Sequence, residues 1–233
     1  IGGVTAGDNS SVNWEDVEKS EVRCADPDAA IKMMAVIDEA KEAGDTVGGV
    51  VEVVATGLPI GLGSHVQWDR KIDGRLAQAI MSINAIKAVT IGDGWDAVNK
   101  KGSKVHDVIN PVEDPLKPWQ RNTNNAGGTE GGMTNGMPLV VRFAVKPIST
   151  LANPLPSVDL NSGEKVQAHY ERSDVCQVPA AGIVGEAMVA IVMAQAMQEK
   201  FGGDHINEMK RNYGGYAATV GPRNITGDLS SNG

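Results

Sequence analysis

The sequence predicts an α+β fold, a layered sandwich with helices between antiparallel β-sheets. Three observations carry that prediction. "VGGVVEVVATGLPIGLG" (47–63) and "PLVVRFAVKPI" (138–148) are Val-rich runs of strand character. Segments 26–44 and 74–86 place apolar residues at helical spacing. "IVGEAMVAIVMAQAM" (183–197) is apolar nearly all round. Such a helix needs burial on more than one side, which a position between sheets supplies.

Each element follows from local chemistry. Asp26 and Pro27 read as N-cap and first helical position, with Ile31, Met34, Val36 and Ile37 on the helix before Gly44 stops it. The Gly residues within 47–63 predict a strand with a bend or bulge. Ile72, Leu76, Ile80 and Ile83 form one stripe on a second helix from about Gly74 to Ile86. "KAVTIG" (87–92) reads as a short strand, and 93–137 as a loop too long for an ordinary connection. After the strand at 138–148, "KVQAHYERSD" (165–174) reads as another strand. A last amphipathic helix is expected over 204–213. Residues 1–213 then form a single domain, and 214–233 a flexible tail.

The bulk chemistry narrows the function classes. Among 233 residues, hydrophobic content of 41% and charge of 21% describe a globular chain. Nine Met help to fill a core that is short of aromatic rings, which make up 4% of the chain. A net charge of −8 argues against nucleic acid or an anionic membrane as partner, and leaves room for a local cationic cluster that binds a small anion. Cys24 and Cys176 lack CxxC spacing and read as free thiols of a reducing cytoplasm. No signal peptide or membrane span is evident, because the longest apolar run is too short and carries Glu186. On that ground the sequons at Asn9 and Asn224 carry no weight. His65, His106, His169 and His205 are scattered, with no metal-ligand spacing.

Strand alternation points to chemistry at two places. In 165–174, Val166, Ala168, Tyr170, Arg172 and Asp174 share a face, so an apolar face ends in a cation and a carboxylate. That pattern fits a structural ion pair, or an anion-binding Arg beside an acid–base Asp. In 138–148, Arg142 and Lys146 share a face, which suits either solvent or a phosphate. Asn84, at the margin of its helical stripe, reads as a half-buried amide that caps, packs or contacts a ligand. "GDGWDA" (92–97) matches GxGxxA, but no apolar helix follows, so a dinucleotide site is rejected. "RNTNNAGGTEGGMTNG" (121–136) holds four Asn and five Gly in sixteen residues. Asn and Thr supply polar side chains that a slack Gly/Ser linker lacks, so the stretch reads as a shaped loop.

Three long stretches, "DTVGGVVEVVATGLPIGLGSHVQWDRKIDGRLAQAIMSINAIKAV" (45–89), "NNAGGTEGGMTNGMPLVVRFAVKPIST" (124–150) and "ERSDVCQVPAAG" (171–182), resemble the chorismate synthase family in the same order. With the apolar helix and "EKFGGD" that follow, the resemblance covers about residues 22–213. It implies an anti-1,4 elimination of phosphate from 5-enolpyruvylshikimate 3-phosphate, giving chorismate for aromatic amino acid biosynthesis. It also implies reduced FMN, which lends an electron transiently without net redox change, with NADPH as a candidate reductant of the flavin. Helices between antiparallel sheets, a homotetramer and a cytoplasmic location belong to the same implication.

Residue by residue, the resemblance assigns flavin contacts to Asn84, Ala85, Gly131, Lys146, Pro147, Ile148, Ser149, Thr150 and Arg172. It gives Asp174 a role in proton transfer near the flavin. The family's amino-terminal part, with its Gly-Glu-Ser-His-Gly opening, second essential His and phosphate-binding Arg residues, has no counterpart in the chain. The sequence therefore reads as the carboxy-terminal three-fifths of such an enzyme. Two expectations stand side by side: a parent lyase of the shikimate pathway, and a chain that alone is an inactive folding and assembly module with a partial flavin pocket.

Overall fold

The computed structural model describes residues 1–7, 12–111 and 119–220. The Asn9 and Asn224 sequons and the tail from 221 lie outside the described residues. In chain order the elements are α1 (Trp14–Lys19), α2 (Pro27–Glu42), β1 (Gly49–Ala55), α3 (Ile72–Met81), β2 (Ile86–Ile91), α4 (Gly102–Val105), β3 (Ile109–Asn110) and β4 (Gln120–Arg121). There follow β5 (Thr129–Glu130), β6 (Met133–Thr134), β7 (Leu139–Val145), β8 (Pro156–Val158), β9 (Lys165–Gln167), α5 (Val178–Phe201) and α6 (Ile206–Ala217). A three-stranded sheet has the order β1-β7-β2, and three antiparallel pairs, β3-β4, β5-β6 and β8-β9, stand beside it in the topology. Helices with antiparallel pairing make the fold α+β, the predicted class.

The chain divides into two compact units, and β1, β2, β7 and α5 each contribute residues to both. The first comprises residues 1–52, 81–89 and 143–186. Its α2 begins as the sequence requires: the Asp26 carboxylate accepts from the Asp28 and Ala29 N–H groups, and Pro27 opens the helix. The buried face is Ala29, Met33 and Ala40, whereas Ile31, placed on the helix from its apolar character, is 69% exposed. Ile86, Phe143, Val145 and Val178 are also buried in this unit.

The second unit comprises residues 53–80, 90–142 and 187–233. Ile72, Leu76 and Ile80 of α3 are fully buried, on the stripe read from sequence. Leu62, Leu139 and Val141 join them at 0% exposure. In β7 the odd positions, Leu139 to Val145, are buried and the even ones are not, as the period-two pattern dictates. Tyr216 of α6 donates its hydroxyl to the Ile60 carbonyl at 2.9 Å, and α6 continues to Ala217, past the expected domain end at 213.

Three expectations fail locally. The helix expected to reach Ile86 ends at Met81, where a turn over 82–85 takes over, with the Ile86 N–H donating to the Ile83 carbonyl. Ile83 continued the apolar spacing without continuing the helix. The strand expected over 165–174 pairs only at Lys165–Gln167, because β8 stops opposite it. Third, α5 is longer than the apolar run at its centre and is not enclosed: Ile183, Val184 and Ile191 are 48%, 46% and 51% exposed. By length and composition alone, its mean hydropathy of 1.7 would suit a membrane span, a test that core helices also pass.

Candidate active site

In the first unit, hydrogen bonds gather four separate stretches of sequence. The turn after α3 holds Ala85 at φ 69°, the left-handed region that a residue with a Cβ rarely occupies. Its carbonyl accepts the Lys146 N–H at 3.0 Å, which ties that turn to the segment leaving β7. Along 146–150, the Lys146 carbonyl accepts from Gln177 Nε2 and the Ile148 carbonyl accepts from the Thr46 hydroxyl at 2.6 Å. Thr150 Oγ1 donates to Ser173 Oγ at 3.0 Å, and the Ser173 hydroxyl also reaches the Thr150 carbonyl. The Val47 N–H donates to the Val175 carbonyl, anchoring the far end of that stretch beside Cys176. Burial pushes the Cys176 thiol up, so it stays protonated and takes no nucleophilic part near neutral pH.

Nine of the ten residues assigned from sequence, Asn84, Ala85, Lys146 through Thr150, Arg172 and Asp174, thus belong to one unit, in or beside this hydrogen-bonded set. Their settings differ from the expected ones. Asn84 is exposed in a turn, not half-buried on a helix, so no burial obliges it to find a partner. Lys146 lies one residue beyond β7 and is exposed. Arg172 and Asp174 do not share a pleated face, and among the described residues they form no ion pair with each other or with any other group. Without a partner strand there is no pleat to align them. Lys146, Arg172, Asn84 and Asp174 are thus exposed side chains on or beside segments whose backbone is held by these hydrogen bonds.

Gly131 belongs to the second unit, at the tip of the β5-β6 hairpin. Gly131 and Gly132, at φ 61° and 86°, make the two-residue turn whose positive angles suit the twist of antiparallel strands. The loop around it is held by its own polar groups. Asn124 Nδ2 donates to the Pro138 carbonyl while its Oδ1 accepts the Gly128 N–H, and Asn125 Nδ2 donates to the Val105 carbonyl. The Asp107 carboxylate accepts from the Thr123 hydroxyl and from the Asn125 and Ala126 N–H groups. Partial burial works to raise the Asp107 pKa, but those donors outweigh it and hold the group below its ordinary 3.8. Arg121, only 9% exposed, pairs with Glu130 at 2.6 Å, and Glu130 also accepts from Asn135. Asp107 and Arg121 escaped the sequence reading. Asp107 lies some sixteen residues before the groups it holds, so no spacing rule marks it.

A family model for chorismate synthase matches residues 2–198. The chain belongs to the chorismate synthase family. The chorismate synthase of Trichlorobacter lovleyi is 55% identical over 226 residues, covering 94% of this chain and 58% of that protein. That of Geobacter sulfurreducens is 54% identical over 229 residues, with the same coverages of 94% and 58%. A solved structure titled "Crystal Structure of Chorismate Synthase" superposes with a TM-score of 0.74 at 48% identity, covering 88% of this chain and 53% of that one. The chain therefore spans somewhat more than half the length of the chorismate synthases it matches.

Proposed function

We propose that this chain serves the chorismate synthase reaction: 1,4-elimination of phosphate and a ring hydrogen from 5-enolpyruvylshikimate 3-phosphate, a carbon–oxygen lyase step of aromatic amino acid biosynthesis. The supporting observation is that the family match runs through the stretches that the Ala85–Lys146 and Thr150–Ser173 hydrogen bonds gather in one unit. The exposed cations Lys146 and Arg172 suit a phosphate-bearing flavin, since neither is neutralised by an ion pair among the described residues. Asn84, Ala85, Pro147, Ile148, Ser149 and Thr150 line that flavin site in this reading, while Gly131, in the other unit, is a candidate flavin contact by resemblance alone. Reduced FMN, when bound, supplies transient electron density that lets phosphate depart. Asp174 is an exposed carboxylate free to accept and return a proton. Residues 1–213 act as one working domain, NADPH is the candidate flavin reductant, and the setting is a cytoplasmic homotetramer.

The second reading is a chain that binds flavin and assembles without turning over substrate. Titration with FMN, followed by flavin fluorescence, combined with an assay of chorismate formation under reducing conditions, separates the two. Arg172→Ala is expected to weaken FMN binding about tenfold, the loss of one charge-assisted contact. Asp174→Asn is expected to leave FMN affinity unchanged and to lower turnover about 100-fold or more. FMN affinity indifferent to both Arg172→Ala and Lys146→Ala would sink the site assignment. FMN binding without chorismate formation supports the second reading.

A further inference from the structure

Residues 44–48 carry no assigned role, yet they join the two segments of the first unit that hold most of the assigned ones. Three of the five face the chain that leaves β7. The Gly44 carbonyl accepts from the Asn153 N–H at 2.9 Å, and a Cβ added at Gly44 would lie 3.1 Å from that nitrogen. A Cβ added at Gly48 would lie 2.3 Å from the Val145 carbonyl oxygen and 2.9 Å from the Pro147 nitrogen. Two backbones approach this closely only where one of them lacks a side chain. Between the two glycines, Thr46 is 9% exposed and donates its hydroxyl to the Ile148 carbonyl at 2.6 Å. Its neighbour Val47 serves the other segment, donating its N–H to the Val175 carbonyl one residue past Asp174.

The segment held by Thr46 has few other anchors. Beyond Val145 it has left the sheet, and Pro147 has no N–H to offer. The Lys146 N–H is taken by the Ala85 carbonyl, and the Gln177 amide reaches the Lys146 carbonyl only at 3.4 Å. The direct link between the two segments, from Thr150 to Ser173, is exposed, so water competes for both hydroxyls. The Thr46 bond is shielded, and the β-branched side chain that makes it is stiff at χ1. Its donor is also specific to residue type, whereas the backbone bonds of Gly44 and Val47 survive a change of side chain.

We propose that Thr46 is a positioning residue of the candidate flavin site. Its hydroxyl fixes the backbone of 146–150 against the segment that carries Arg172 and Asp174, through the Ile148 carbonyl on one side and the adjoining Val47 N–H on the other. The proposal rests on the flavin reading given above and assigns Thr46 no contact with flavin or substrate. A ligand that engages both segments binds best when their spacing is set beforehand, because less order must then be imposed on binding.

Three variants test this. Thr46→Val keeps the shape and removes the donor. Thr46→Ala removes the donor without setting a methyl group against the Ile148 carbonyl, and Thr46→Ser restores it. FMN binding is followed by flavin fluorescence at a temperature where circular dichroism shows each variant folded. Thr46→Val and Thr46→Ala are each expected to weaken FMN binding about tenfold, and Thr46→Ser to stay within about twofold of the native chain. In the flavin-free chain, hydrogen exchange at the amides of 146–150 should quicken in the first two variants and not in the third.

A merely structural Thr46 lowers the thermal midpoint and leaves the FMN affinity of the folded chain unchanged, and that result would overturn the proposal. Equal losses in Thr46→Ser and Thr46→Val would do so as well, as would unchanged exchange at 146–150. The two readings fail separately. FMN affinity that responds to Arg172→Ala and Lys146→Ala but to neither Thr46→Val nor Thr46→Ala removes the positioning role alone. A native chain that binds no FMN, or whose affinity ignores Arg172→Ala and Lys146→Ala, removes the flavin site and the positioning role with it.

Discussion

Residues 121–136 and 164–174 are both irregular, both polar, and both carry residues assigned to the same site, yet the structure treats them in opposite ways. The first satisfies itself: its Asn side chains close onto backbone groups, and Asp107 collects three donors from it. The second lies exposed, with His169 through Arg172 bonded to nothing among the described residues. The difference follows from residue type. Short amides and carboxylates reach their own backbone and so build a loop from within. Alternating charged and β-forming residues have no such reach, and only another strand can satisfy them.

Substitutions sharpen that contrast. The largest effect is expected at Gly127, where an added Cβ would lie 2.2 Å from the Gly92 nitrogen at a φ of +62°. Both the backbone contact and the strained angle oppose Gly127→Ala, which should lower stability by about 4 kcal/mol. Gly131→Ala shares the positive φ but meets nothing within 4 Å, and should lose only about 1 kcal/mol. Denaturant unfolding of the pair measures both, and equal losses would contradict the packing argument.

Next comes Asp107→Ala, which strands three donors and should destabilise by about 3 kcal/mol. Its pH dependence has a definite sign. The folded-state pKa lies below the ordinary 3.8, so the carboxylate's contribution is present above about pH 4 and is lost as pH falls through the folded value. The stability gap between native chain and variant should therefore narrow below about pH 4 and stay flat from about pH 5 to 7. The smallest effect belongs to the exposed segment. Tyr170→Ala should change the unfolding free energy by no more than about 0.5 kcal/mol, since the ring is 45% exposed. A larger loss would mean that Tyr170 packs within its own chain.

Much of the fold was legible because its chemistry is local. The Asp26–Pro27 cap, the α3 stripe and the alternation of β7 each depend on residues within one element. At the candidate site, the sequence pattern also separated a shaped loop from a linker, since four Asn in sixteen residues serve as internal donors and acceptors. The exit from α3 was less legible. Ile83 extends the apolar spacing past Met81, but nothing in that spacing signals that Ala85 will adopt a left-handed angle and turn the chain toward Lys146. Asp107 was invisible because its partners are distant in sequence.

By itself the sequence determined the fold class, the family and which residues are candidates for the site, because these reside in local periodicity and in long ordered motifs. Only the tertiary structure decided their surroundings. It made Asn84 a turn residue, left Arg172 and Asp174 outside a strand and without an ion pair to each other, and gave Asp107 the task of closing a loop. A helix needs only its own backbone to complete its hydrogen bonds, whereas a strand needs a neighbour, and which neighbour arrives is not written in the strand's own alternation.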